Sequence, residues 1–254
     1  MLKLTTEAKG FLAKVEDKVE IVLRRHSEQV TDFVDPYLKK CALDFLKTQP
    51  GINYKSFGGV DNAERQRIVL CQDYLVPELA MAQICLAKFQ GNLDYINCSH
   101  RDFLGALLGQ GIKREKVGDL FPIEDGFVVV LSRDLAQFMV SDSLKVKGVS
   151  LKAQIMEPGE WNPAVQSEKV INTTVSSLRL DTIVAHGFGI SRGKVTSFIT
   201  GGKVKVNWQP ILENDYQCKE KDVISLRGKG RIKLAKISGE TKKGRLKVAI
   251  NRYE

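Results

Sequence analysis

The sequence predicts an α+β protein with helices at the N-terminus, a mixed domain in the middle, and a helical hairpin with a small β-sheet near the C-terminus. Two observations support this. Apolar residues recur every three or four positions in some segments and every second position in others, and turn-forming residues separate the two patterns. The 254 residues suffice for two or three domains. We place the segments at 1–62, 63–172, 174–236 and 237–254, the last a basic strand or tail.

The first segment is predicted to be helical, and the second to combine strands with helices. Apolar residues recur at helical spacing from Phe11 to Val22, and a second helix is expected to begin at Pro36 with Asp35 as its cap. In the second segment, Ser99 and Ser132 are expected to begin helices. The predicted strands cover residues 67–71, 84–89, 127–131 and 149–156. This pattern predicts a sheet with helices on one side.

Positive charge is concentrated at the C-terminal end. Residues 175–254 hold 17 Lys and Arg against 7 Asp and Glu, whereas the whole chain has a net charge of +9. A localised positive field attracts a polyanion. Nucleic acid is the first candidate, and an acidic lipid or an acidic protein is the alternative.

Two short helices are predicted in the third segment, over residues 178–187 and from Arg192 to about residue 200. Ser191 is placed to cap the second helix. Arg192 and Lys194 bring positive charge to its first turn, where the helix dipole opposes it. A helix N-terminus also presents unpaired N–H groups, so a docked anion would favour this placement.

Cationic and polar side chains alternate along the predicted strands of this segment. A strand over 203–207 turns every second residue outward, and an extended chain over 227–233 would place its four cations on one face. The outward residues are Lys203, Lys205, Asn207, Arg227, Lys229, Arg231 and Lys233. A Lys-rich edge strand that prevents aggregation is the alternative interpretation. Together with the charged helix N-terminus, the pattern favours contact with a phosphate backbone.

These residues resemble a known domain. Leu178–Asp181, Gly189–Val195, Gly202–Asn207 and Asp222–Ile224 are similar in order and spacing to the S-four RNA-binding domain, named after a ribosomal small-subunit protein. The resemblance implies a helical hairpin and small sheet that bind RNA. The residues expected to bind RNA are Arg179, Ser191, Arg192, Lys194, Lys203, Lys205, Asn207, Arg227, Lys229, Arg231 and Lys233.

Further segments extend the resemblance over nearly the whole chain. Gly59, Ala63–Arg65, His100–Gly109, Gly111–Asp119 and Thr241–Arg245 resemble bacterial YlmH-type RNA-binding proteins. This resemblance implies a central RNA-recognition-like βαβ domain and association with ribosomes. It also implies a link to the rescue of stalled large subunits that carry peptidyl-tRNA. The expected partners are therefore rRNA, tRNA and the large ribosomal subunit, bound by a monomer.

The central domain holds one candidate RNA-binding strand of its own. Residues 126–130 begin with Gly and Phe, as do the RNA-contacting strands of RNA-recognition motifs. The alternative is a core strand. A single aromatic residue without flanking basic residues favours the core strand.

Other classes of protein lack support in the sequence. No apolar run approaches the roughly 20 residues of a membrane span, and residues 1–10 lack a signal core, so a cytoplasmic protein is expected. The five cysteines form no Cys-x-x-Cys pair, and Cys98 with His100 has no second pair nearby, so no metal site is predicted.

An enzyme would need a catalytic or cofactor motif. No Gly-rich cofactor loop or phosphate loop is present, and His26, His100 and His186 lie far apart in the sequence. We therefore expect no enzymatic activity and no cofactor. An RNA-modifying enzyme and a protein scaffold linked to cell division are the alternatives to an RNA-binding protein.

Overall fold

The protein is described by a computed structural model over residues 4–92, 98–141, 143–164 and 168–253. It divides into two compact units, residues 1–163 and 164–254. Both units combine helices with antiparallel strand pairing, which confirms the predicted α+β class. The segment boundaries suggested by the sequence at residues 62 and 172 lie inside these units. None of the described helices is long and apolar enough to cross a membrane.

The first unit begins with two helices packed on a three-stranded sheet. Its elements are α1 (Thr6–Arg25), β1 (Gln29–Val30), α2 (Pro36–Leu46), β2 (Ile52–Phe57) and β3 (Arg67–Gln72). The strand order is β1-β3-β2. The predicted cap is confirmed, because the Asp35 side chain accepts a hydrogen bond from the Leu38 amide at 2.9 Å. Val15 and Val22 on α1 are buried against Leu38 and Ile68.

The sequence analysis predicted helices alone for residues 1–62, and the strands β1 and β2 are a correction. β1 has two residues, and β2 has only one fully buried position, so neither shows a clear alternation. Both are held by pairing with β3, which is buried along its whole length. The partner strand, and not a local pattern, therefore makes these segments extended.

The rest of the first unit is a five-stranded sheet with two helices. Its elements are β4 (Ile84–Gln90), α3 (His100–Gly109), β5 (Val117–Ile123), β6 (Gly126–Ser132), α4 (Arg133–Ser141), β7 (Leu144–Val146) and β8 (Val149–Met156). The strand order is β5-β6-β4-β8-β7. Since β6 pairs antiparallel with both β4 and β5, β4 and β5 run parallel and are linked by α3. This is the split βαβ arrangement that the sequence resemblance implied.

Both faces of β6, an inner strand of the five-stranded sheet, are covered. On one face Phe89 and Phe127 pack with Phe103 of α3, at ring-centroid distances of 5.2 and 4.4 Å from the Phe103 ring. On the other face Ile84 and Val130 pack against Val69 of β3 and against Phe33. β6 is therefore buried along its whole length. The core-strand interpretation of residues 126–130 is confirmed.

The second unit is a six-stranded sheet with a helical hairpin. Its elements are β9 (Glu168–Val175), α5 (Leu180–Phe188), α6 (Arg192–Thr200), β10 (Val204–Val206), β11 (Gln209–Pro210), β12 (Val223–Leu226), β13 (Gly230–Glu240) and β14 (Leu246–Tyr253). The strand order is β11-β10-β12-β13-β14-β9, all antiparallel. Gly189, with φ +65°, ends α5 in the left-handed conformation that a glycine adopts readily.

Candidate RNA interface

Asp181 organises the start of the helical hairpin. Its carboxylate accepts hydrogen bonds from Arg179 at 3.3 and 3.2 Å, from Arg192 at 2.7 Å and from the Thr182 hydroxyl at 3.1 Å. Burial alone would raise the pKa of Asp181, but these hydrogen bonds outweigh burial and hold its pKa below the usual value. The carboxylate therefore stays ionised and orients both guanidinium groups.

Both arginine side chains remain accessible from outside. The Arg179 side chain is 38% exposed and the Arg192 side chain 56%, whereas the Asp181 side chain between them is 6% exposed. Ser191 and Lys194 at the start of α6 are exposed, and the Ser191 side chain makes no capping hydrogen bond. The helix start therefore presents positive charge and a hydroxyl beside it. Ser191 is at the predicted N-cap position, but its side chain does not form the capping hydrogen bond that the sequence suggested.

The charge of Arg192 is compensated in a way that the sequence analysis did not foresee. The sequence indicated a cation that is opposed by the dipole of its own helix. In the structure Arg192 is bound to a buried carboxylate eleven positions earlier in the chain. Arg192 thus both links α5 to α6 and presents charge to solvent.

Helix α6 connects this cluster to the sheet. Lys194 and Phe198 are four residues apart and share one face of α6. The Nζ of Lys203 lies 5.6 Å from the centroid of the Phe198 ring. The Lys203 carbonyl accepts a hydrogen bond from the Arg227 amide at 3.0 Å. The backbone and aromatic contacts therefore bring Lys194, Lys203 and Arg227 into one neighbourhood.

One face of the six-stranded sheet is cationic, and we call it the open sheet face. The opposite face carries residues such as Val204, Ile224 and Ile232, which are buried in the core with α5 and α6. Lys205 pairs with Ser225, and Ser225 pairs with Arg231, so they form one row across three strands on the open sheet face. Other open-face positions on β13 and β14 include Lys233, Lys236, Lys247 and Asn251.

The cations over residues 227–233 do not share a single extended strand, which corrects the sequence analysis. β12 ends at Leu226, and Leu226 pairs with Gly230 of the next strand. Residues 227–229 therefore form the turn of a hairpin. Gly228 and Gly230 have φ of +81° and +94°, and they allow the chain to reverse there. Arg231 and Lys233 lie on the open sheet face, whereas Arg227 and Lys229 lie in the turn.

Asn207 has a structural role in addition to its predicted one. It begins a two-residue turn between β10 and β11, with φ +47°. Its Nδ2 donates a hydrogen bond to Asp222 at 2.8 Å, and its Oδ1 accepts one from the Val223 amide at 3.0 Å. Its amide is thus already engaged in holding β10 beside the start of β12.

Three residues near the cationic surface were missed by the sequence analysis. Lys236 and Lys247 lie on the open sheet face, at positions opposite Ala249 and Thr174. The ring of Trp208 lies 5.6 Å from the guanidinium carbon of Arg231. In the sequence, Trp208 directly follows Asn207, which ends a predicted strand. An Asn at that position is typical of a hairpin turn, and this was the signal that Trp208 lies in one.

The Cys, His, Asp and Glu side chains are the groups that could bind a metal ion or act as nucleophiles. In the described part of the chain, no group of three His, Cys, Asp or Glu side chains could hold a metal ion. Burial raises the pKa of the Cys218 thiol to about 12 and that of Cys85 to about 11. Both thiols therefore stay protonated at neutral pH.

Among the described residues, β6 does not present an exposed aromatic ring of the kind with which RNA-recognition motifs stack bases. Those motifs use aromatic residues on the sheet face that their helices leave open. In this chain Phe127 is 2% exposed and packs on the helix side of the sheet. The other face of β6 packs on the first sheet through Val130. The cationic surface of the second unit is therefore the candidate interface.

Two family models match the chain, one within each of the two compact units. Residues 178–224 match the S4 domain model, which covers the helical hairpin and the strands β10 to β12. Residues 77–158 match the model described as a putative RNA-binding domain in YlmH, which covers the five-stranded sheet.

Similar proteins agree with these matches. The chain is 32% identical over 249 residues to the ribosome-associated protein quality control protein P2 of Bacillus subtilis (strain 168), covering 98% of this chain and 96% of that protein. A solved structure of the cell division protein ylmH from Streptococcus pneumoniae has a TM-score of 0.54 at 21% identity. It covers 64% of this chain and 99% of that chain, and it supports the fold alone. The chain therefore belongs to the YlmH-type family, with a YlmH RNA-binding domain followed by a C-terminal S4 domain.

Proposed function

We propose that this protein binds structured ribosomal RNA or tRNA through the cationic surface of its second unit. It binds the large ribosomal subunit and acts in the rescue of stalled translation. It works by binding, with no catalysis, as a monomer in the cytoplasm. The RNA-contacting residues are Arg179, Ser191, Arg192 and Lys194 at the helical hairpin, and Lys203, Lys205, Asn207, Arg227, Lys229, Arg231 and Lys233 along the sheet and its turns.

The concentration of cations at the helical hairpin and on the open sheet face is the observation that carries this proposal. Lys194 and Phe198 share one face of α6, and Lys203 packs on Phe198. The row from Lys205 to Arg231 continues the positive charge across the open sheet face. A polyanion that follows this path would meet cations throughout, and each phosphate contact would release a counterion.

The comparisons support the choice of ribosomal RNA. The Bacillus subtilis relative is named as ribosome-associated and as a quality control protein, and the match spans almost the full length of both chains. The S4 domain is a module found in RNA-binding proteins, and the second family model is described as a putative RNA-binding domain. None of these names describes an enzymatic reaction, which supports a binding role.

Sedimentation through a sucrose gradient tests the proposal. The full-length protein should migrate with the large ribosomal subunit at moderate salt. The double variant Lys205→Glu/Lys233→Glu reverses two charges on the open sheet face and should stay near the top of the gradient. Nuclease treatment of the subunit fractions should release the wild-type protein.

A matched control separates the site from overall charge. The variant Lys9→Glu/Lys40→Glu makes the same change in net charge at exposed positions of α1 and α2, outside both family matches. It should sediment like the wild type. Wild-type protein that stays at the top, or a Lys205→Glu/Lys233→Glu variant that still follows the large subunit, would contradict the proposal.

A further inference from the structure

The turn between β10 and β11 holds a tryptophan in a backbone conformation that tryptophan rarely adopts. Val206 pairs with Gln209, so Asn207 and Trp208 are the two central residues of the hairpin turn. Their φ angles are +47° and +67°. Such turns favour Asn followed by Gly, because a Cβ is strained at positive φ and Asn tolerates that strain better than most residues. A bulky residue in a strained position is often retained for function.

The contacts of the turn explain Asn207 but not Trp208. The Asn207 amide is held between Asp222 and the Val223 backbone. Trp208, by contrast, is not among the described residues that form or pack against the core of the second unit. It is partly buried at the tip of the turn. Its indole ring therefore lies outside that core, although it is the largest side chain of the turn.

The surroundings of the Trp208 ring suit a nucleotide. The guanidinium group of Arg231 lies over the ring at 5.6 Å, and Lys205 lies in the same cross-strand row as Arg231. An arginine on an aromatic ring is an attractive cation–π contact. An aromatic ring beside several cations can stack on a base while the cations bind the adjoining phosphates.

We propose that Trp208 stacks on an unpaired base and that the second unit thereby selects RNA with an unpaired nucleotide next to a helical segment. The bases of an RNA duplex are stacked on each other and cannot reach the ring, whereas a bulged or terminal base can. Arg231 occupies one side of the indole, and the base would stack on the other. This inference rests on the proposed function, because the neighbouring cations must bind the RNA backbone.

Two RNA hairpins of equal length test the proposal with the full-length protein, one fully paired and one with a single bulged nucleotide. Trp208→Gly should weaken binding of the bulged RNA roughly fivefold to a hundredfold, and change binding of the paired RNA by less than about twofold. Glycine suits the turn, so the melting temperature should hold or rise. Trp208→Phe keeps a ring and should recover most of the affinity for the bulged RNA.

Fluorescence gives a second readout. The chain has two tryptophans, so a Trp161→Phe background leaves Trp208 as the single reporter. Bulged RNA should quench its emission and fully paired RNA should not. Unchanged binding of bulged RNA by Trp208→Gly, or an equal loss for both RNAs, overturns base stacking while the proposed function stands. Failure of the wild type to bind either RNA overturns the proposed function and the stacking with it.

Discussion

The guanidinium group of Arg192 donates a hydrogen bond to the carboxylate of Asp181 at 2.7 Å, and Arg179 donates to both oxygens of the same carboxylate. Asp181 is in the first turn of α5, and Arg192 is in the first turn of α6. One buried carboxylate therefore fixes the two cations of the helical hairpin and joins its helices. An arginine that contacts RNA in this position also stabilises the fold.

Replacing Arg192 by Ala should therefore lower stability as well as RNA affinity. A hydrogen bond between charged groups contributes about 1.5–3 kcal/mol, and the half-exposed guanidinium is partly screened by solvent. Asp181 keeps Arg179 and Thr182, so we expect a loss of about 1–2 kcal/mol in the free energy of unfolding, measured by urea denaturation.

Lys194→Ala is the control from the same helical turn. Among the described residues no acidic partner holds Lys194, so its loss should cost RNA affinity alone. Equal stability of the two variants would show that the ion pair does not contribute.

The pH dependence of stability should report on Asp181. Its pKa is lower in the folded protein than in the unfolded chain, where an Asp titrates near about 3.9. The unfolded chain then binds more protons, so stability is present above that pH and decreases as the pH falls toward the folded pKa. Asp181→Asn should show a shallower loss of stability below about pH 4 than the wild type. Asp17→Asn, which removes an exposed carboxylate from α1, serves as the control and should follow the wild-type slope.

The affinity for structured RNA should decrease steeply with salt concentration. Several phosphate contacts predict a log–log slope of roughly −3 to −6, since each contact contributes somewhat less than one unit. Lys205→Ala/Lys233→Ala should make the slope shallower by roughly 1.5–2. Lys9→Ala/Lys40→Ala should leave it unchanged. Filter binding at several salt concentrations measures all three slopes, and a flat wild-type response would contradict contact between the cationic surface and phosphates.

The same substitution should have opposite effects at two glycines of the first unit. A Cβ at Gly126 would overlap the Phe89 carbonyl oxygen across the β4–β6 ladder, so Gly126→Ala should cost at least about 2 kcal/mol. A Cβ at Gly105 meets no atom within 4 Å and lies inside α3, so Gly105→Ala should stabilise by about 0.5–1 kcal/mol. Urea denaturation of both variants measures the difference. A Gly126→Ala variant as stable as the wild type would show that β4 and β6 can separate locally.

Local patterns in the sequence were sufficient to predict most elements with strong periodicity or clear caps. Asp35 and Ser99 begin helices as predicted, because a capping side chain acts within three residues of its own position. The alternation of Val204 and Val206 with exposed neighbours also predicted β10. The concentration of positive charge in residues 175–254 and the order of the S-four segments indicated the RNA-binding unit, since both are properties of the chain itself.

Relationships between distant residues were decided by the tertiary structure. The strands β1 and β2 form because β3 offers hydrogen-bonding partners, and no periodicity within them reveals this. The pairing of Arg192 with Asp181 depends on how two helices pack, and the contact between Trp208 and Arg231 depends on the register of three strands. Sequence spacing determines which residues share a face of one element. Which faces meet is decided by the packing of all elements together, and that packing placed Lys205, Arg231 and Lys233 on one face of the sheet.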